Sequence, residues 1–345
     1  MKLNRTKRVA LASVLSVSVA LAAQAQTMIE TTSTQYVLPV SELATTKTYP
    51  DLLRITCDAI EAQVLPNRGR LLSALAVRGG ASFLYQSFNP EPMILSSGLH
   101  AVEFGGYYLS IPWNTRDRQP YDLAYRIIEN SAEHAQVALS GRDILKRAAA
   151  VSVVTMRRDR PAAEIRTTIA NETATRTLRE ASFRDFTLLS PMEQDGGAAR
   201  LLLPSASVTV VDSADDWAGA KNASIPWTPA LSQWSSIKGS YDVKVAVPPE
   251  LPCFAIVYPH KHLAIVKIWS PPGYFDSIEV VTRGPGYAKE PGIGPYYAVS
   301  CVKANLEIAP QAQTEFRTAF VVLQDVAEDA TLPALYARAA SLLTE

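Results

Sequence analysis

Cysteine and histidine are scarce in this chain of 345 residues, with three of the first and four of the second. Cys57, Cys253 and Cys301 form no CxxC, and no histidine stands at ligand spacing from one, so the sequence declares no metal site. Neither sign of charge is in excess, since 33 Lys and Arg balance 33 Asp and Glu. Past residue 22 no apolar run is long enough to cross a bilayer, which argues against membrane insertion. Between Thr27 and the end there is no Gly/Ser-rich linker, charge block or low-complexity segment, so residues 26–345 read as one domain. Helix-period stretches are rare. No glycine-rich turn leads into a helix, so no phosphate loop is present and no cofactor is indicated.

Residues 1–25 stand apart from the rest. Lys2, Arg5, Lys7 and Arg8 precede the apolar run Val9–Ala22, and Ala23-Gln24-Ala25 has the form of a cleavage site. That is the pattern of a secretory signal peptide, and it sets the expectation of an exported protein, periplasmic or extracellular. Without those residues the chain carries 29 basic and 33 acidic side chains, a net charge of −4. A mildly acidic surface disfavours nucleic acid as an electrostatic partner. In an oxidising compartment Cys253 and Cys301, both in strand-like runs, are the pair expected to join, leaving Cys57 free; three buried thiols are the alternative.

What the chain has in abundance is short strands. Cys57–Val64, Leu71–Val77, Ala81–Tyr85, Tyr125–Asn130, Ala135–Ser140, Ala149–Met156 and Glu164–Ala170 follow one another with turns between. Leu201–Pro204, Val208–Val211, Tyr241–Val247, Phe254–Tyr258, Leu263–Trp269, Ser277–Thr282 and Phe316–Val322 continue the series. Runs of this length, rich in β-branched residues and spaced by turns, predict an all-β sandwich. Two helical stretches are expected, a capping helix at Leu332–Leu343 and one turn at Pro50–Arg54 with proline in its first position.

Several clusters are candidates for chemistry. Gly98–Asn114 gathers His100, Glu103, Tyr107, Tyr108 and Trp113 around Gly105-Gly106, and Arg116 and Arg118 follow close behind. Aromatic faces beside short polar groups suit a sugar ring, with its apolar C–H faces and its hydroxyls. A core hairpin with inward aromatics is the structural alternative. His260 and His262 alternate around Lys261 and project to one side if that segment is extended. His134 reads as part of a polar turn. Trp217, Trp227 and Trp234 lie in a long irregular region, and Tyr287 lies in the Gly/Pro-rich stretch Arg283–Tyr297.

The order of strands and turns resembles the aldose 1-epimerase (galactose mutarotase-like) superfamily. The likeness rests on Val64-Leu-Pro-Asn-Arg-Gly-Arg-Leu-Leu-Ser-Ala-Leu, on Gly79-Gly80 before Phe83-Leu-Tyr, and on Gly105-Gly106 before Pro112-Trp113. Ala163–Thr173 with its Asn171 turn, and Leu306–Pro310 before Phe316–Val322, extend it over most of the chain. The resemblance implies a β-supersandwich with a short C-terminal helix and a carbohydrate ligand. Mutarotases move the anomeric proton with histidines and a carboxylate. Where the family has a His-Gly step this chain has Gln119-Pro-Tyr, and where it has His-Pro this chain has Ser190-Pro191. The family's C-terminal glutamate corresponds to Glu290 or Glu279.

The expectation is therefore an exported carbohydrate-binding protein without standard mutarotase catalysis. Glu290, Glu279 and His100 are its candidate catalytic groups. Glu103, Tyr107, Trp113, Arg116, His260, His262 and Tyr287 are its candidate sugar contacts. An epimerase or polysaccharide-degrading enzyme with a relocated His/Glu pair is the second reading, and a non-enzymatic envelope scaffold the third.

Overall fold

The structure is a computed structural model that describes residues 27–344 apart from 41–42, 67–68, 95–99, 111–122, 143–146, 192–197, 214–216 and 285–295. The expected signal segment, 1–25, lies outside the described residues. The chain opens with β1 (Ile29–Val40), β2 (Leu43–Thr56), β3 (Ile60–Leu65), β4 (Arg70–Val77), β5 (Gln86–Ile94), β6 (His100–Gly105) and β7 (Tyr107–Leu109). It continues through β8 (Ala124–Asn130), β9 (His134–Arg142), β10 (Ala148–Arg157), β11 (Ala162–Asn171), β12 (Leu178–Leu189), β13 (Arg200–Leu202), β14 (Ser207–Ser213) and β15 (Ser224–Pro226). A four-residue helix α1 (Pro229–Ser232) precedes β16 (Ser240–Ala246), β17 (Cys253–Tyr258), β18 (Leu263–Ser270), β19 (Ser277–Arg283), β20 (Tyr296–Ile308) and β21 (Gln313–Leu323). Helix α2 (Leu332–Thr344) closes the described chain.

Two large antiparallel sheets result. One has eleven strands in the order β1-β2-β3-β4-β7-β12-β20-β19-β16-β14-β15, and the other eight in the order β13-β17-β18-β21-β11-β10-β9-β8. The pair β5–β6 forms a separate ribbon. The inner faces of the two sheets meet in one core that runs from Ile55 and Leu75 through Phe183, Tyr297 and Phe320 to Val243. The expected all-β sandwich is what the chain forms.

Alternation produces this arrangement. On β11, Ala163, Ile165, Thr167, Ile169 and Asn171 are buried while Glu164, Arg166 and Thr168 face outward. The buried hydroxyls of Ser152 and Thr167 satisfy each other across β10 and β11 at 2.9 Å, as polar groups removed from water must. β17 and β18 are buried on both faces because α2 covers their outer side. That helix carries Pro333 in its first turn and buries Leu332, Leu335 and Ala339, spaced to share one face.

The segment Pro50–Arg54, expected to hold a helical turn, is instead part of β2. Leu53 and Ile55 alternate into the core and pair with Val64 and Ala62 of β3. Burying that alternating face outweighs a helix-compatible proline, which fixes φ without forcing a helix.

A glycine and a buried asparagine hold distant strands together. Gly106 has φ +76°, and a Cβ there would stand 2.5 Å from the Leu72 carbonyl oxygen, so glycine alone lets β7 lie beside β4. Asn171 is buried at the end of β11 and donates through Nδ2 to the carbonyls of Arg176 at 2.7 Å and Ile308 at 2.9 Å. Its Oδ1 accepts from the Thr173 amide at 3.0 Å, so one side chain fixes two turns. All three cysteines are free and buried, with no bond between Cys253 and Cys301. Burial pushes each thiol up to about 12.

Candidate functional site

Register across the eleven-stranded sheet brings together residues that are far apart in sequence. A single row of paired residues runs Tyr108–Phe186–Ser300–Glu279–Lys244–Thr209 across β7, β12, β20, β19, β16 and β14. Alternation puts this row on the outer face, away from the core that takes up Tyr107, Asp185 and Cys301.

The polar half of the face is a charge cluster. Arg184 on β12 pairs with Glu279 Oε2, and Lys244 Nζ stands 3.5 Å from Oε1 of the same carboxylate. Glu279 and Arg184 are half-buried, and Lys244 is exposed. Arg184 is fixed by a two-way bond to Ser110: its amide donates to Ser110 Oγ and its carbonyl accepts from the Ser110 amide, both at 2.8 Å. The aromatic half adjoins it. Tyr108 stacks on Phe186 with ring centroids 5.0 Å apart and planes at 12°, and the Arg70 guanidinium lies 4.3 Å over the Tyr108 ring. Beyond them Tyr85 meets Tyr296 at 5.3 Å, beside Leu188 and Ala298. Planar apolar rings next to fixed hydrogen-bonding charges are the means by which proteins hold a sugar or a similar polyol.

Directly beneath this face, between the sheets, lies a second polar cluster. Lys267 on β18 and Asp185 on β12 form an ion pair in which both side chains have 0% exposure. Asp185 Oδ2 also accepts from the Tyr107 hydroxyl at 3.1 Å and the Thr318 hydroxyl at 3.3 Å, while Lys267 donates to Thr187 Oγ1 at 2.9 Å. The rings of Tyr107, Phe320 and Phe254 surround the ammonium at 4.8, 5.4 and 5.6 Å from their centroids. Burial pushes the Asp185 carboxyl up, against the pull of Lys267, and pushes the Tyr107 hydroxyl well above its ordinary range. Sealed from solvent on both sheets, these groups join the layers and offer nothing to a ligand.

Among the described residues singled out from the sequence, Glu279 is the one placed at the centre of the outer face. Tyr107 is corrected: it turns into the core and spends its hydroxyl on Asp185, and its neighbour Tyr108 faces outward. His260 and His262 are also corrected. Pro259–Lys261 forms a 3-10 turn and His262 takes φ +51°, so the segment is not extended, and both rings are exposed on the eight-stranded sheet. His134 is on that sheet too, 2.7 Å from Glu129. His100 and Glu103 are placed by backbone on β6, opposite Ile94 and Phe88, and their side chains lie outside the description. Trp113, Arg116, Tyr287 and Glu290 fall in 111–122 and 285–295, outside the described residues. Trp217, Trp227 and Trp234 pack edge-on against Tyr241 or Tyr297 and so belong to the sandwich rim.

Arg184, Phe186 and Lys244 were not singled out from the sequence, and Tyr108 was named in the Gly98–Asn114 cluster but not among the sugar contacts. The alternation Arg184-Asp185-Phe186-Thr187 was a usable signal for the first two, since it sets a charge and a ring on the same side of one strand.

No family model and no curated protein matches this sequence. Solved structures do match the fold. A TPR-domain-containing protein from Parabacteroides distasonis superposes with a TM-score of 0.65 at 14% identity, over 86% of this chain and 54% of that one. The chain thus spans about half the length of that protein. A putative aldose 1-epimerase from Klebsiella pneumoniae superposes with a TM-score of 0.58 at 12% identity, over 92% of this chain and 95% of that one. A putative mutarotase from Salmonella typhimurium gives 0.54 at 11% identity, over 79% and 90%. The chain has the galactose mutarotase-like fold, and at these identities the likeness is one of fold.

Proposed function

We propose that the outer face of the eleven-stranded sheet binds a carbohydrate and does so without the ring-opening chemistry of a mutarotase, in a protein exported under the direction of residues 1–25. The observation that carries the first part is the row Tyr108–Phe186–Ser300–Glu279–Lys244, where stacked rings adjoin a carboxylate held by two cations. The rings take the apolar face of a pyranose, and Arg184, Glu279 and Lys244 take its hydroxyls. The mutarotase-like neighbours support the ligand class.

Binding without turnover is supported by how Glu279 is occupied. Ring opening needs an acid and a base facing each other across the sugar. Glu279 is held in ion pairs by Arg184 and Lys244. The three histidines with described side chains stand on the eight-stranded sheet, out of reach of this face. Export is supported by the basic start, apolar run and small-residue end of the first 25 residues.

Calorimetric titration of the full chain with a panel of aldoses and short oligosaccharides tests the reading. One or more sugars should bind, and Glu279→Gln and Phe186→Ala should each weaken that sugar at least tenfold, about 1.4 kcal/mol. Absence of binding across the panel, or binding unmoved by both substitutions, removes this face as the site.

A further inference from the structure

The outer face of the other sheet carries a groove of about 660 Å³ between the strands and α2, a volume suited to a small organic ligand. Two adjacent rows of paired residues make its floor. Ile268, Ala319 and Glu164 form one, and Ser270, Arg317, Arg166 and Val153 the other. Tyr336, Ala340 and Leu343 of α2 make the wall.

The charges here are unbalanced. Arg166 and Arg317 are direct cross-strand partners on the same outward face, an arrangement that costs stability through like-charge repulsion. Among the described residues Arg166 has no ion-pair or hydrogen-bond partner. Arg317 reaches Glu315 at 3.7 Å, in a pair so exposed that solvent screens most of its attraction. Glu164, the carboxylate in the groove, is taken by Arg160 at 3.2 Å, and Arg160 also donates to the Leu343 carbonyl at 3.2 Å. Two guanidinium groups therefore stand side by side, open to an anion from outside the chain.

The surroundings set the orientation of such an anion. The last turn of α2, with Leu343 and Thr344 in the wall, offers an anion no donor, since the Leu343 carbonyl is taken by Arg160 and the Thr344 hydroxyl donates to the Ser341 carbonyl. Between the arginine row and the helix, Ile268, Ala319, Tyr336 and Ala340 are apolar or aromatic, and Glu164 at the end of their row is held by Arg160. A ligand that satisfies both halves has a charged head and a hydrocarbon body. A carboxylate head matches the planar fork of guanidinium in the bidentate manner.

We propose that this groove is a binding site for an amphipathic carboxylate, its head held between Arg166 and Arg317 and its hydrocarbon body lying over Ile268 and Ala319 against α2. The site is on the opposite sheet from the carbohydrate face and shares no residue with it.

Calorimetric titration of the full chain with decanoate, kept below its micellar concentration, tests this, with decanol and inorganic phosphate as separate arms. Decanoate should saturate at one per chain, and decanol and phosphate should each bind at least tenfold more weakly. Arg166→Gln and Arg317→Gln should each weaken decanoate at least tenfold. Because either substitution removes a like-charge pair, both variants should melt no lower than the wild type. Ala340→Trp, which fills the groove from the helix side, should abolish binding while leaving sugar titrations unchanged. Failure of decanoate to bind, equal binding of decanol, or binding unmoved by the arginine variants overturns the proposal. Phosphate binding as tightly as decanoate overturns its apolar half.

Discussion

Replacing Lys267 by methionine separates a structural role for the buried ion pair from any other. Methionine keeps the length and apolar stem of lysine, so packing against Phe254 and Phe320 changes little while the charge is lost. Asp185 is then left at 0% exposure without its cation. Breaking a buried pair from one side costs about 3–5 kcal/mol, because a charge remains uncompensated in a medium that cannot solvate it. For roughly 320 residues the unfolding entropy is about 0.7 kcal/mol per degree, so the melting temperature should fall by roughly 4–7 °C. The double variant Asp185→Leu/Lys267→Met removes both charges and should recover most of that loss, staying within about 2 kcal/mol of wild type because the Tyr107 and Thr318 hydroxyls lose their acceptor.

The loss in Lys267→Met should also depend on pH. Burial already pushes the Asp185 carboxyl up, and the ammonium is the chief opposing pull. Without it the folded carboxyl keeps its proton to still higher pH than the unfolded one does. The folded state then binds more protons than the unfolded state in that window, and stability falls as pH rises. The cost of the substitution should be smallest near the ordinary aspartate pKa of about 3.9 and grow toward neutrality. Urea denaturation followed by tryptophan fluorescence at several pH values reads both effects. A single variant within about 1 kcal/mol of wild type at neutral pH, or a double variant no more stable than the single, would refute the reasoning.

Further substitutions test the rest of the frame. Gly106→Ala should cost more than about 3 kcal/mol or prevent folding, because its Cβ meets the Leu72 carbonyl at 2.5 Å with φ at +76°; a loss below about 1 kcal/mol in the same denaturation assay contradicts the close approach of β7 and β4. Asn171→Ala orphans the carbonyls of Arg176 and Ile308 and should cost about 2–3 kcal/mol, whereas Arg179→Ala, on an exposed ion pair, should change stability by less than about 0.5 kcal/mol. Thiol titration should find the native protein nearly inert, since burial pushes Cys57, Cys253 and Cys301 up to about 12. The unfolded chain should then yield three thiols without reductant, and a yield of one would establish the disulfide that the sequence suggested.

The fold was legible in the sequence because its cause is local. Ala149–Met156 and Glu164–Ala170 each declare an inward and an outward face by alternation, and β10 and β11 follow that division. Pro50–Arg54 misled because a proline compatible with a helix start is equally compatible with a strand that alternates Leu53 and Ile55 inward. The site was legible only in part. Glu279 stands out on its strand, but its partners Arg184 and Lys244 arrive through sheet register across β12, β20, β19 and β16, which no local pattern encodes. Lys267 was hidden for a different reason. In Leu-Ala-Ile-Val-Lys-Ile-Trp a lysine by habit marks the solvent side, but both sides of this strand are buried: Val266 and Ile268 lie under α2, and Lys267 faces the core.

Proton NMR of an aldose mixture that includes galactose, with and without the full chain, tests the carbohydrate face most directly, because saturation transfer reports binding and exchange between anomer resonances reports turnover in the same sample. Saturation transfer to a sugar, lost in Glu279→Gln, with anomer exchange no faster than in buffer, is the predicted result. Accelerated exchange would contradict binding without turnover, and the absence of any transfer would contradict the carbohydrate face itself.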